Sequence, residues 1–116
     1  MIVIEKLRAI CQQMPEYTDP RLATARARDF FDIHEAIEKR SIDLTNPANL
    51  ELLRLIFEAK KVPLSLLLQV GNTREFHRPD WPSVETSVAG GSVDSFDFYF
   101  NFALEQIERL KTFGVV

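Results

Sequence analysis

Six prolines, at positions 15, 20, 47, 63, 79 and 82, punctuate the first 82 residues of this 116-residue chain. Proline lacks the amide that a continuing helix needs and clashes with the preceding turn, so each one closes, kinks or opens an element. Between them, apolar residues recur at helical spacing. Over about 2–14, Val3, Ile4, Leu7, Ile10, Cys11 and Met14 share one side, and Pro15 closes the segment. Asp19-Pro20 reads as an N-cap followed by a first-turn proline, opening a second helix that runs to about Arg40. Asn46-Pro47 gives the same signal for a third helix through Lys61. Pro63 breaks it, and 64–70 reads as a short buried fourth piece ending at Gly71. Residues 72–91, with Pro79, Pro82 and Gly90-Gly91, read as a long connection before a last helix from about Ser92 to Phe113. The expected fold class is therefore all-α: a single domain, 1–116, forming a small bundle of four to five helices with one long Pro/Gly-containing loop.

The last helix has a competitor. Phe96, Phe98, Phe100 and Phe102 alternate with Asp97, Tyr99 and Asn101, which is strand periodicity, and 83–102 around Gly90-Gly91 admits a hairpin. Ala103 to Leu110 continue in helical register with Phe96, Tyr99 and Phe100, which favours the helix.

Apolar residues at 46% and charged residues at 27% are the balance of a folded domain, and 116 residues suffice for one core. The start, Met1 to Lys6, has no basic n-region or cleavage site, and no apolar run approaches a membrane span, so a cytoplasmic chain without membrane contact is expected. Cys11 is alone among apolar positions and reads as a buried thiol; with two histidines besides, no zinc site suggests itself. Net charge is −3, with ten acidic and ten basic residues in 1–61 and seven against four in 62–116. No broad basic face results, which argues against unassisted nonspecific nucleic-acid binding.

Two helices carry more apolar surface than a small bundle covers easily. Leu50, Leu52, Leu53, Leu55, Ile56 and Phe57 crowd the third, and Phe98, Phe102 and Phe113 fall outside the main stripe of the last. They read either as central helices or, the reading preferred here, as faces that meet another domain or subunit.

Several polar residues stand in unusual places. On a projection of about 100° per residue, the second helix buries Leu22, Ala23, Phe30, Ile33 and Ile37. Arg26 falls inside that stripe and Asp29 at its edge, three apart and able to pair; Arg28 and Asp32, four apart, form a second couple. A structural Arg–Asp bridge is the plainer interpretation; a charged site held on a rigid helix is the functional one. Lys6 borders the apolar side of the first helix, where a snorkelling lysine is ordinary. His34 reads as a half-buried, satisfied histidine. Some helical ribonucleases pair an arginine with a histidine a few residues later, but Arg28 and His34 would point about 120° apart. His77 lies in a loop open to two readings, contact with a ligand or, the commoner one, a segment that Phe76 and Trp81 pin to the core. Glu58 to Leu68 has the outline of a helix-turn-helix, yet its second half offers only Ser65 and Gln69 to a base edge, which argues against DNA reading.

Val3-Ile-Glu-Lys6-Leu-Arg-Ala-Ile10 and Arg26-Ala-Arg28-Asp29-Phe-Phe-Asp32-Ile-His34 together resemble a pair of segments in AbiEii/AbiGii-type nucleotidyltransferases, toxins of bacterial abortive-infection and toxin–antitoxin systems. That family has an E-K-L-x-A-like helix supplying a lysine, then a basic R-x-K/R-D-x-x-D helix. A tryptophan loop followed by an acidic-aromatic last helix, here Asp94-Ser-Phe-Asp-Phe98, is similar too. The resemblance is to the C-terminal helical part of such enzymes. It implies that Lys6 contacts the nucleotide triphosphate, that Asp29 is the catalytic acid of the second helix, and that Arg26, Arg28 and Asp32 complete a substrate-binding motif.

The same enzymes carry a Gly-Ser loop and a strand-borne D-x-D that hold Mg²⁺ against the triphosphate. Gly91-Ser92 followed by Asp94 and Asp97 is only an echo, with D-x-x-D spacing. No cofactor is therefore expected on this chain itself; Mg²⁺ and a nucleoside triphosphate would come with a core supplied elsewhere. The implied partners are that nucleotidyltransferase core or a cognate antitoxin protein, with RNA as an acceptor, and homo-oligomerisation is left open. The rival expectation is a non-catalytic interaction module, such as an antitoxin, immunity protein or regulatory subunit.

Overall fold

A computed structural model describes residues 1–88 and 92–116. Four helices dominate: α1 (Ile2–Gln12), α2 (Ala27–Arg40), α3 (Pro47–Ala59) and, at the C-terminus, the 17-residue Phe96–Thr112. Between α3 and that last helix lie a 3₁₀ segment (Leu64–Thr73), α4 (Arg74–His77), a 3₁₀ turn (Arg78–Asp80) and α5 (Trp81–Ser87), so the last helix is α6. The described residues contain no strand, and the all-α bundle holds. The Gly90-Gly91 turn of the alternative hairpin lies outside the described residues, but most of each arm, 83–87 of 83–88 and 96–102 of 92–102, is helical where it needed strands.

α1 buries Val3, Ile4, Leu7, Ile10 and Cys11, the stripe its spacing foretold. Met14 stays fully buried one turn later, its carbonyl accepting from the amides of Tyr17 and Thr18. Burial pushes the Cys11 thiol up to about 12, as desolvation of a thiolate requires. α3 starts where Asn46-Pro47 said it would: the Asn46 side chain accepts from the Asn49 amide at 2.8 Å. It ends at Ala59, two residues short of the expected limit, where Lys61 takes a left-handed φ of 57° and the Val62 amide turns back to the Phe57 carbonyl. α6 begins four residues later than expected because Ser95, not Ser92, caps it, accepting from the Phe98 amide at 3.2 Å.

Two expectations fail. Asp19-Pro20 does not open α2. The Asp19 carboxylate instead closes a local turn by accepting from the Arg21 amide at 2.9 Å and pairs with the Arg21 guanidinium. Residues 19–25 are not helical, and Leu22, expected in the core, is 69% exposed. The supposed long connection is helical through much of 74–87, because Pro79 and Pro82 each occupy the first turn of a helical piece, where no amide is required of them.

α2 packs against α1 on one side and α6 on another. The second contact is aromatic: Phe30 meets Phe100 with ring centroids 4.9 Å apart and Phe96 at 6.0 Å, and Trp81 leans on Tyr99 at 5.4 Å. Phe30 is wholly buried in this cluster. The side of α2 that faces α1 carries charge.

Candidate functional site

α1 and α2 bring Lys6 and the Arg26–Asp32 motif together. The Lys6 ammonium donates to Asp29 Oδ1 at 3.1 Å and lies 3.3 Å from Asp32 Oδ2. Arg26 Nε pairs with the other oxygen of Asp29, and Arg28 Nε donates to Asp32 Oδ1 at 3.2 Å. Arg28 also reaches Ser87 Oγ on α5 at 3.0 Å. All five residues that the sequence singled out thus sit in one network of three cations and two carboxylates. The pairs within α2 follow from spacing; the meeting of Lys6 with Asp29 across 23 residues does not, and only the family resemblance grouped them.

Asp29 is the buried member, 3% exposed, while Lys6, Arg26 and Asp32 are partly open and Arg28 more so. Desolvation acts to lower the Lys6 pKa, but the hydrogen bonds and charges of Asp29 and Asp32 outweigh it, and the ammonium is held above its ordinary value. The cluster therefore presents a fixed excess of positive charge around a buried acid. That suits a phosphate group approaching from solvent.

Its fit to a metal is poor. Both carboxylates are already taken by cations, and no group of three or more His, Cys, Asp or Glu among the described residues is placed to hold an ion.

The start of α2 is built by residues that sequence reasoning did not assign to it. The Arg26 amide donates to His77 Nδ1 at 2.9 Å, and the Ala27 amide donates to Asp80 Oδ2 at 3.1 Å. Fully buried, His77 is pushed down to about 4 by desolvation, so it stays a neutral acceptor at neutral pH. Its segment is fastened to α6 by Arg74 and Arg78, which both pair with Asp97, at 3.0 and 2.8 Å. Arg74 also stacks over Phe100 at 4.4 Å. Arg78, then Arg74, hold the Asp97 carboxyl below its usual range. The tryptophan-containing segment of the sequence pattern is thus a brace, and Trp81 does pin it, at 7% exposure.

Elsewhere the plainer interpretations hold. His34 is half-buried against Phe102, Phe98 and Tyr99, with Nδ1 2.9 Å from Glu35 Oε2. Arg28 and His34 line one open cleft of about 580 Å³, but each is engaged by its own partner, and no ribonuclease-like pair forms. Residues 64–70 lie in a 3₁₀ segment, which gives no recognition helix. No helix in the described residues is long and apolar enough to cross a membrane.

No curated protein and no solved structure gives a significant match to this sequence. A family model described as the nucleotidyl transferase AbiEii toxin of type IV toxin–antitoxin systems matches residues 1–102, which include Lys6, the whole α2 motif, the 74–87 brace and the start of α6. The chain belongs to the AbiEii family of nucleotidyl transferase toxins.

Proposed function

We propose that this chain is the helical, substrate-contacting part of a nucleotidyltransferase toxin, working with a metal-binding core that it does not itself contain. In the reaction an acceptor hydroxyl attacks the α-phosphorus of a nucleoside triphosphate, the nucleotide is transferred and pyrophosphate leaves. Lys6 and Arg26 would meet the negative charge of the triphosphate. Asp29 would hold both cations in place, and Arg28 with Asp32 would line the approach of the acceptor, for which RNA is the first candidate. The observation that carries this reading is the 3.1 Å contact of Lys6 with Asp29, which unites two sequence-distant motifs of the family in one partly open charged site. Positive groups aimed at a developing phosphate charge are each worth about a hundredfold or more in rate.

The test is reconstitution. The chain is joined to, or mixed with, a family core carrying the Gly-Ser loop and D-x-D carboxylates, and transfer of labelled nucleotide is followed. Transfer is expected to need both parts, and Lys6→Ala or Asp29→Ala should each lower it about a hundredfold or more. Undiminished transfer in both variants would remove the site assignment.

A second reading, a module that acts by binding a protein such as an antitoxin, is favoured by one observation. Leu55 on α3 is 52% exposed, and Phe98 and Phe113 are 44% and 56% exposed. A tight complex with a protein that lacks any transferase core, indifferent to Lys6→Ala, would establish it in place of the first.

A further inference from the structure

We infer that His77 and Asp80 are positioning residues for the charged site: by fixing where α2 begins, they hold Asp29 opposite Lys6. Helices are usually started by a Ser, Thr, Asp or Asn at the cap. α2 has Arg26 there, and no side chain near in sequence satisfies its leading amides. Acceptors arrive instead from 51 and 53 residues away, His77 Nδ1 for the Arg26 amide and Asp80 Oδ2 for the Ala27 amide.

Arg26 is also the residue that ties the site together. Its guanidinium pairs with Asp29, and its carbonyl accepts from the Asp29 amide at 3.0 Å. A shift of α2 by one residue in register would turn the Asp29 position about 100° around the axis and take it away from Lys6. The ring of His77 is held between Phe30 and Phe76, with centroids 5.0 and 5.1 Å away. Because Nδ1 accepts, the proton sits on Nε2, and that atom is buried without a partner among the described residues. A buried donor left unpaired is unfavourable. The residue is thus matched to its Nδ1 contact and to an apolar socket, at the expense of its other nitrogen. Asp80 adds a negative charge at the positive end of the α2 dipole.

The inference rests on the proposed nucleotide reading only for what the site binds; that His77 holds Asp29 opposite Lys6 is measurable without nucleotide. Asparagine places its Oδ1 where histidine has Nδ1, glutamine moves the acceptor one bond further, and leucine removes it. The 116-residue chain and its His77→Asn, His77→Gln and His77→Leu variants are compared by NMR. The readouts are hydrogen exchange at the Arg26 amide and the titration of the Lys6 side chain. With His77→Leu and His77→Gln, exchange at Arg26 is expected to rise about tenfold, the equivalent of one net hydrogen bond. Lys6 should then titrate nearer an ordinary lysine. His77→Asn should restore both towards the parent. An unchanged Lys6 titration in His77→Leu, or no rescue by His77→Asn, overturns the inference.

Should His77→Leu fail to fold, Asp80→Asn and Asp80→Ala supply the same comparison at the Ala27 amide with less loss of packing. An unchanged Lys6 titration in Asp80→Ala would overturn the inference equally. Failure of the reconstituted parent to bind a nucleoside triphosphate would end the nucleotide reading while leaving the Lys6 result to stand by itself.

Discussion

Among the charged residues of the site, Asp29 combines burial with contacts to both Lys6 and Arg26, so its neighbours decide what the site can be. His77 has the opposite character: a titratable group kept neutral by burial, facing Arg26 of α2, Asp29 of the same helix and Asp80 of its own segment. The sign of its effect on stability follows. The unfolded chain takes up a proton near 6.5, while the folded chain resists until about 4. The unfolded state therefore binds more protons in that window, and stability falls as pH drops through it. The loss should reach about 3 kcal/mol by pH 4. Urea midpoints from pH 7 to 4 should show this slope in the parent and lack most of it in His77→Asn; equal slopes would assign the acid sensitivity to other groups. None of this was legible in the sequence, where His77 read only as part of a pinned segment.

Helix starts separate what local rules can reveal from what they cannot. Asn46 and Ser95 cap α3 and α6 through amides three residues on, and the Asn46-Pro47 signal is visible to anyone scanning the chain. α2 obeys no such rule, because its acceptors lie in α4 and the following 3₁₀ turn. Asp19-Pro20 has the same local chemistry as Asn46-Pro47 but spends it on a turn with Arg21. Element identity was otherwise largely readable, since apolar periodicity fixed α1, α3 and the helical character of α6. The short helices within 74–87 were hidden by prolines that read as breakers. The contrast is measurable. Asn46→Ala and Ser95→Ala should each lower stability by about 1 kcal/mol. Asp19→Ala should leave the urea midpoint nearly where it was, and a loss as large as that of Asn46→Ala would show that the turn shapes α2 after all.

At the scale of the whole molecule, the accessible surface is 6374 Å², close to the roughly 6500 Å² usual for a folded monomer of this mass, and the radius of gyration is 13.7 Å. The chain thus buries about as much of itself as a folded monomer of its mass does. Even so, Leu55 and Phe113 stay open, and a hollow of about 520 Å³ between α3 and the C-terminal turn is lined by Leu50, Phe113 and Val115. The surplus of apolar residues on α3 and α6 was evident in the sequence; which of them remain uncovered was not. Leu55→Asp combined with Phe113→Ser should alter stability by only about 0.5 kcal/mol. The same pair should weaken capture of a core or antitoxin protein about tenfold or more. Sedimentation and calorimetric titration would read both, and unchanged binding would move the interface elsewhere.

The distant cap of α2 has a temporal meaning as well. A ribosome that has made residues 1–76 has already delivered Lys6 and Asp29, yet the acceptors for the Arg26 and Ala27 amides are still to come. The last contacts at the start of α2 close only after Asp80 emerges. That ordering makes the start of α2 depend on a segment of the chain synthesised well after the helix itself.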